Sequence, residues 1–153
     1  MILTLFLLAS AALGGGAKRD LVHIDVPDMV EVRAGQNFEV PIKFWVADGY
    51  HINSNKPTEE YMIPTRIEWQ PSAFKHVSDD FPPPDQREFK FTSGKKLSVY
   101  EGARTLKARF TAPAGSTGKQ TIEGAFRYQA CDNAACYPPN KVEIKLNVNV
   151  SGR

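Results

Sequence analysis

The sequence predicts an all-β protein, an antiparallel β-sandwich behind a short apolar leader. Apolar and polar residues alternate along four long stretches, the period of two expected of half-buried strands. The 11 Pro and 11 Gly are spread along the chain and punctuate it. No long stretch with a period of 3.6 follows residue 17. About eight or nine short strands separated in this way read as a sandwich. A closed antiparallel barrel has the same local pattern and stands as the alternative.

The elements follow in order. In "FEVPIKFWV", Phe38, Val40, Ile42, Phe44 and Val46 share one face. In "TLKARF", Leu106, Ala108 and Phe110 do the same. "TIEGAFRY" aligns Ile122, Gly124, Phe126 and Tyr128. "KVEIKLNVNV" turns Val142, Ile144, Leu146, Val148 and Val150 inward, with Lys, Glu and Asn outward. Shorter strands are expected at 21–26, 29–34, 66–70, 73–77 and 87–91. Turn signals fall at "AGQN" (34–37), "ADGY" (47–50), "FPPPD" (81–85) and "APAGSTGK" (112–119). Two irregular segments, His51 to Pro64 and 78–86, read as long loops, and the pair Asp79–Asp80 in the second is expected to be solvated.

Residues 1–17, "MILTLFLLASAALGGGA", carry no charged side chain. The run is short for a membrane span, which needs about 20 residues. Small residues at Gly15 and Ala17 suit a signal-peptidase site, although a basic segment ahead of the apolar run is missing. Export to the periplasm is therefore expected, with a retained N-terminal anchor as the alternative. No cysteine lies near residue 17, which argues against a lipid anchor there. Residues 18–153 would form one domain, a length sufficient for a real core. With a net charge of +2 and no basic run longer than two residues, the chain has no electrostatic footprint for nucleic acid.

Both cysteines lie in "YQACDNAACYPP", residues 128–139. Outside the cytoplasm they can oxidise and stay oxidised, and two cysteines allow one pairing, Cys131–Cys136. The bridge would close the turn between two adjacent strands. So short a loop removes little entropy from the unfolded chain, on the order of 2 kcal/mol. A redox role, a structural bridge and metal binding are all open on spacing alone. A metal would need further ligands, and His23, His51 and His76 are scattered in sequence. Ser93, Ser98 and the histidines form no nucleophile elbow, there is no glycine-rich phosphate loop, and there is no C-x-x-C.

The cysteine segment resembles the active-site segment of the N-terminal domain of DsbD, the bacterial thiol:disulfide interchange protein. The pattern there is Tyr-Gln-x-Cys, a short spacer, then Cys, an aromatic or apolar residue and Pro-Pro. It is met here by Tyr128, Gln129, Cys131, Cys136, Tyr137, Pro138 and Pro139. "ADGYHINSNKP" (47–57) with "YMIPTRIEW" (61–69) is similar to a second region of that family, and "FTSGKKLSVYEG" (91–102) to a loop and the strand after it. The resemblance covers about residues 20–150. The spacer has four residues where some members have five.

The resemblance implies an immunoglobulin-like sandwich that carries electrons from a membrane reductase to periplasmic thiol proteins, among them disulfide isomerases and cytochrome c maturation factors. The family's full transporter continues into a polytopic membrane domain and a thioredoxin-like domain, and these 153 residues contain neither. The implied partners are therefore a separate membrane thiol reductase and periplasmic thioredoxin-like or isomerase proteins, with no cofactor and no metal. It further implies that Cys136 forms the mixed disulfide, that Cys131 resolves it, and that an aromatic ring on a loop caps the bridge. Phe91 is the first candidate for the cap and Phe89 the second. Tyr50 and His51 match the family's aromatic flank, with Tyr128, Tyr137 and Pro138 beside the cysteines. Asp132 would disfavour a thiolate at Cys131, Arg127 is near in sequence, and no strongly activating group is evident. The competing reading is a secreted immunoglobulin-like binding module with a passive disulfide. Export predicts that periplasmic protein begins near Lys18 on N-terminal sequencing, whereas an intact Met1 in the membrane fraction would indicate an anchor.

Overall fold

Alternation becomes burial along the long strands. The computed structural model describes residues 20–152, so the leader expected at 1–17 lies outside the described residues. Strand β3 (Asn37–Val46) buries Val40, Ile42, Phe44 and Val46 and exposes the residues between them. It pairs antiparallel with β1 (Val22–Asp25) and β9 (Ala103–Thr111), and β9 pairs with β6 (Lys75–Asp80). The first sheet thus has the order β1-β3-β9-β6. A second sheet, β2-β12-β10-β5, joins β2 (Val30–Arg33), β12 (Asn140–Ser151), β10 (Gly118–Tyr128) and β5 (Arg66–Trp69). Its β2–β12 pair is parallel and the others antiparallel.

The inner faces of these sheets meet in one core. Phe44 of the first sheet lies 5.2 Å from Phe126 of the second, and Phe110 lies 5.0 Å edge-on from Trp69. Leu106, Ile122, Leu146 and Val148 are fully enclosed between them. No strand of one sheet pairs with a strand of the other, which makes the architecture a sandwich and not a closed barrel.

A third, smaller sheet has the order β11-β4-β8-β7. Its strands are β4 (His51–Asn53), β7 (Asp85–Glu88), β8 (Lys96–Tyr100) and β11 (Ala130–Cys131). Three of them continue strands of the sandwich. The chain leaves β3 for β4 through a turn at 47–50, where Gly49 has φ +81°. It passes from β8 into β9 through Glu101 and Gly102, the latter at φ +60°, and from β10 into β11 through Gln129. The small sheet is therefore held at one end of the sandwich by covalent continuity with three of its strands.

Several boundaries differ from the expected ones. The segment from His51 is not loop at its start, because β4 occupies His51–Asn53 and is fully buried. The 78–86 segment is mostly strand, with only residues 81–84 between β6 and β7. Asp79 and Asp80 lie in β6 and not in a loop, and of the two only Asp80 is exposed as expected, Asp79 being largely covered. Asp79 accepts the Trp69 indole N–H at 3.2 Å and faces His76 at 3.1 Å, and Asp80 pairs with Arg109 at 3.0 Å. The strand expected at 87–91 ends at Glu88, where Thr92 bonds back to Phe89 and closes a single 3-10 turn over Lys90–Thr92.

Gly124 shows how tightly the second sheet is packed. A Cβ there would stand 2.6 Å from Trp69 Cε3. The indole cannot swing away freely, since Asp79 holds its N–H and Phe110 packs against its ring. Gly124→Ala is expected to lower unfolding stability by about 1–3 kcal/mol, the range for overpacking. Denaturant titration reads this as a lower midpoint with an unchanged slope.

Candidate functional site

The third sheet has two different faces. Paired residues in antiparallel strands project to the same side, and the register aligns Ala130, Ile52 and Tyr100 across β11, β4 and β8. These three belong to the main core, where Phe44 meets the Tyr100 ring at 5.5 Å. The Tyr100 hydroxyl finds Asn55 Oδ1 at 2.8 Å and Pro82 O at 3.0 Å. The opposite face carries Cys131 paired with His51, then Asn53 paired with Val99. Above it, Phe89, Leu97 and Val99 form a second apolar cluster with Met62.

Cys131 and Cys136 form a disulfide with their Cα atoms 3.9 Å apart. Cys131 is 1% exposed, whereas Cys136 is solvent-exposed. The turn between them is built from its own hydrogen bonds. Asp132 N–H donates to Ala135 O at 2.9 Å, and Tyr137 N–H to Ala130 O at 2.8 Å. Asp132 Oδ1 accepts from the N–H groups of Ala134 and Ala135 at 2.7 and 2.8 Å, and Oδ2 accepts the Tyr137 hydroxyl. The Tyr137 hydroxyl first, and then the two amides, hold the Asp132 carboxyl below its ordinary range. Its charge is therefore engaged by the turn itself. Arg127 is drawn away to Glu68 on β5, where Arg66 also binds.

His51 is 2% exposed, and its Nε2 has no hydrogen-bond partner. Its ring stacks on Phe89 at 4.0 Å, and Phe91 stacks outside Phe89 at 5.5 Å. Burial pushes the imidazole down to about 4, with a smaller upward pull from Asp132 and a further downward push from Arg87. Tyr50 and Tyr137 approach each other at 6.0 Å beside the turn. A polar cleft of about 310 Å³ opens alongside, lined by Asp48, Tyr50, His51, Arg87, Glu101 and Asn133.

A buried polar lattice fixes this arrangement. Asn53 Nδ2 donates to Ile63 O at 3.0 Å and to Gln129 Oε1 at 3.4 Å, and Gln129 Nε2 donates to Tyr137 O at 3.2 Å. The Thr65 hydroxyl donates to Asn53 O, and the Ser54 and Ser98 hydroxyls meet at 2.8 Å. The loop after β4 is thereby tied to the residue that leads into the cysteines.

Most of the residues expected at the site converge there. Cys131, Cys136, His51, Tyr50, Tyr137 and Phe89 are joined by pairing, stacking or adjacency. Phe91 is 43% exposed and reaches His51 only through Phe89. Pro138 is exposed at the exit of the turn. Tyr128 is 2% exposed and belongs to the main core rather than to the group around the disulfide. Sequence reasoning missed Asp132 as the acceptor that builds the turn. An Asp followed by small residues is a signal for such an Asx-turn. It also missed Asn53 and Arg87, for which no local pattern exists. Among the described residues, no group of three or more His, Cys, Asp or Glu is placed to hold a metal ion, and no helix is long and apolar enough to cross a membrane.

A family model described as "Thiol:disulfide interchange protein DsbD, N-terminal" matches residues 21–148. Among solved structures, the chain is similar to the DsbD n-terminal domain of Neisseria meningitidis in its reduced form. The identity is 22% and the TM-score 0.50, over 76% of this chain and 82% of that one. It is also similar to the N-terminal periplasmic domain of ScsB from Proteus mirabilis, at 14% identity and TM-score 0.55, over 84% of this chain and 45% of that one. The fold is thus the expected immunoglobulin-like sandwich. No curated protein sequence matches the chain.

The buried imidazole makes stability depend on pH. Its folded value, about 4, lies below its ordinary 6.5, so between these values the unfolded chain binds a proton that the folded chain refuses. The stabilisation is complete above that window and is lost as pH falls through it, by up to about 3 kcal/mol. The parent protein should therefore lose more stability than His51→Gln in denaturant titrations at about pH 7 and about pH 4.5. Equal losses would show that the imidazole is not held neutral by burial.

Proposed function

The chain belongs to the family of DsbD N-terminal domains, and on that premise we propose that it is a periplasmic thiol–disulfide exchange carrier. It takes two electrons from a membrane thiol reductase and gives them to periplasmic thioredoxin-like or isomerase proteins. The observation that carries this reading is the asymmetry of the bridge, with Cys136 exposed and Cys131 buried in the end sheet.

Exchange begins when a thiolate attacks a disulfide sulfur. A reduced partner attacks Sγ of Cys136, the exposed cysteine. The S–S bond breaks, its electron pair passes to Cys131 Sγ, and a mixed disulfide joins the partner to Cys136. The partner's second thiolate then attacks its own bridged sulfur and releases Cys136. The partner leaves oxidised, and both cysteines of this chain are reduced, with two protons taken up. Delivery runs the other way: Cys136 attacks a client disulfide, and Cys131 attacks Cys136 Sγ to expel the reduced client.

Two features suit the turn to this cycle. Its backbone bonds and the Asp132 acceptor do not involve sulfur, so the thiols remain facing one another after reduction. Phe89 stacks on His51, the residue paired with Cys131, and Phe91 backs it, which makes this aromatic stack the candidate for a cap over the bridge. Phe89 is the better candidate for the cap, because Phe91 touches only its outer side.

Cys131→Ser is expected to accumulate a covalent complex with an oxidised partner, because Cys136 attacks the partner's disulfide and no Cys131 thiol remains to resolve the product, and Cys136→Ser is not, since it lacks the exposed cysteine. The reverse trapping pattern would reverse the roles. The reduction potential of the parent should lie above about −300 mV, the level below which structural disulfides fall. A lower value would favour the passive binding module. Phe89→Ala should speed reduction by glutathione more than Phe91→Ala does.

A further inference from the structure

His51 is the one buried side chain among the described residues with an unpartnered nitrogen, and it stands directly across the strand pair from the buried cysteine. We propose that His51 Nε2 is a redox-dependent hydrogen-bonding partner of the Cys131 sulfur, left unsatisfied in the disulfide form and satisfied when the bridge opens. This rests on the exchange reading above and adds a residue to it.

An unsatisfied buried polar atom is rare, and its cost is retained only where something compensates. A disulfide sulfur offers an imidazole almost nothing, having no proton and little acceptor strength. Reduction changes that. When the electron pair of the S–S bond passes to Cys131 Sγ, the sulfur becomes a thiolate and then, on taking up a proton, a thiol. The imidazole is neutral at neutral pH, so it donates its N–H to the thiolate or accepts from the thiol, depending on the tautomer. Register pairing places both side chains on the same face, and both are closed to water, at 2% and 1% exposure. Water therefore does not compete. The ring is held by its stack on Phe89. The charges around it are Asp132 from the cysteine turn and Arg87 from β7, with Asp48 and Glu101 across the cleft.

An interaction present only after reduction does two things. It stabilises the thiolate leaving from Cys131, and it shifts the equilibrium toward the dithiol. One such bond corresponds to a factor of about ten in the exchange constant, or about 30 mV.

The test is the equilibrium of the 153-residue chain's disulfide with a glutathione redox buffer. His51→Phe keeps an aromatic ring against Phe89 and removes both nitrogens. Its dithiol form should be disfavoured about tenfold relative to the parent. His51→Gln restores a polar terminus near Nε2 and should recover much of that loss, which a purely packing role for residue 51 would not produce. In the parent, the Nε2 nitrogen resonance of His51 should move on reduction. An equilibrium constant unchanged in His51→Phe, or an Nε2 resonance indifferent to reduction, overturns the proposal. A parent disulfide too stable for glutathione to open overturns the carrier reading instead, so the two failures are distinguishable.

Discussion

The pairing of His51 with Cys131 across two very short strands is the constraint on which the site depends. Strands of three and two residues cannot hold themselves together. They persist because each continues a long strand of the sandwich, and because Ile52, Ala130 and Tyr100 are buried in the main core beneath them. The core thus sets the position of the buried sulfur and its neighbours through a face of the sheet that carries no chemistry.

The opposite face is organised differently. Its apolar cover is small, made of Phe89, Leu97, Val99 and Met62, and its polar groups answer one another through Asn53, Gln129, Thr65 and the Ser54–Ser98 pair. Such a lattice is specific in geometry but contributes modestly per bond, about 1 kcal/mol. The result is a disulfide whose inner sulfur is fixed by the sandwich while its outer sulfur sits on a self-supporting turn. Rigidity and access are divided between the two ends of one covalent bond.

The legible parts of the fold were those with one wet face. Along β3, β9, β10 and β12 the apolar positions alternate because one side meets the other sheet and the other side meets water. The illegible parts were buried on both sides. His51, Ile52 and Asn53 are all enclosed, and so are Leu97 to Tyr100 in β8, because the end sheet lies between two apolar clusters. Burial of both faces erases the period of two. Polar side chains such as His51, Asn53 and Ser98 then look like loop residues, although they are satisfied or stacked by partners far away in sequence. Asp79 was illegible for another reason: β6 is largely exposed, but the partner of its carboxylate, Trp69, comes from a strand of the other sheet.

By itself, the sequence determined the strand-rich class, the inward faces of the long strands, the one possible cysteine pairing and the motif that carries the family resemblance. These are local properties, set by side-chain periodicity and by residues adjacent in the chain. The tertiary structure alone decided which cysteine is covered, which phenylalanine stacks on His51, and that Asp132 spends its charge on the turn rather than on the sulfur. Each depends on residues brought together from β4, the loop after β7 and β11. Their contact comes from the packing of three strand continuations at the end of the sandwich, and no spacing along the chain encodes it.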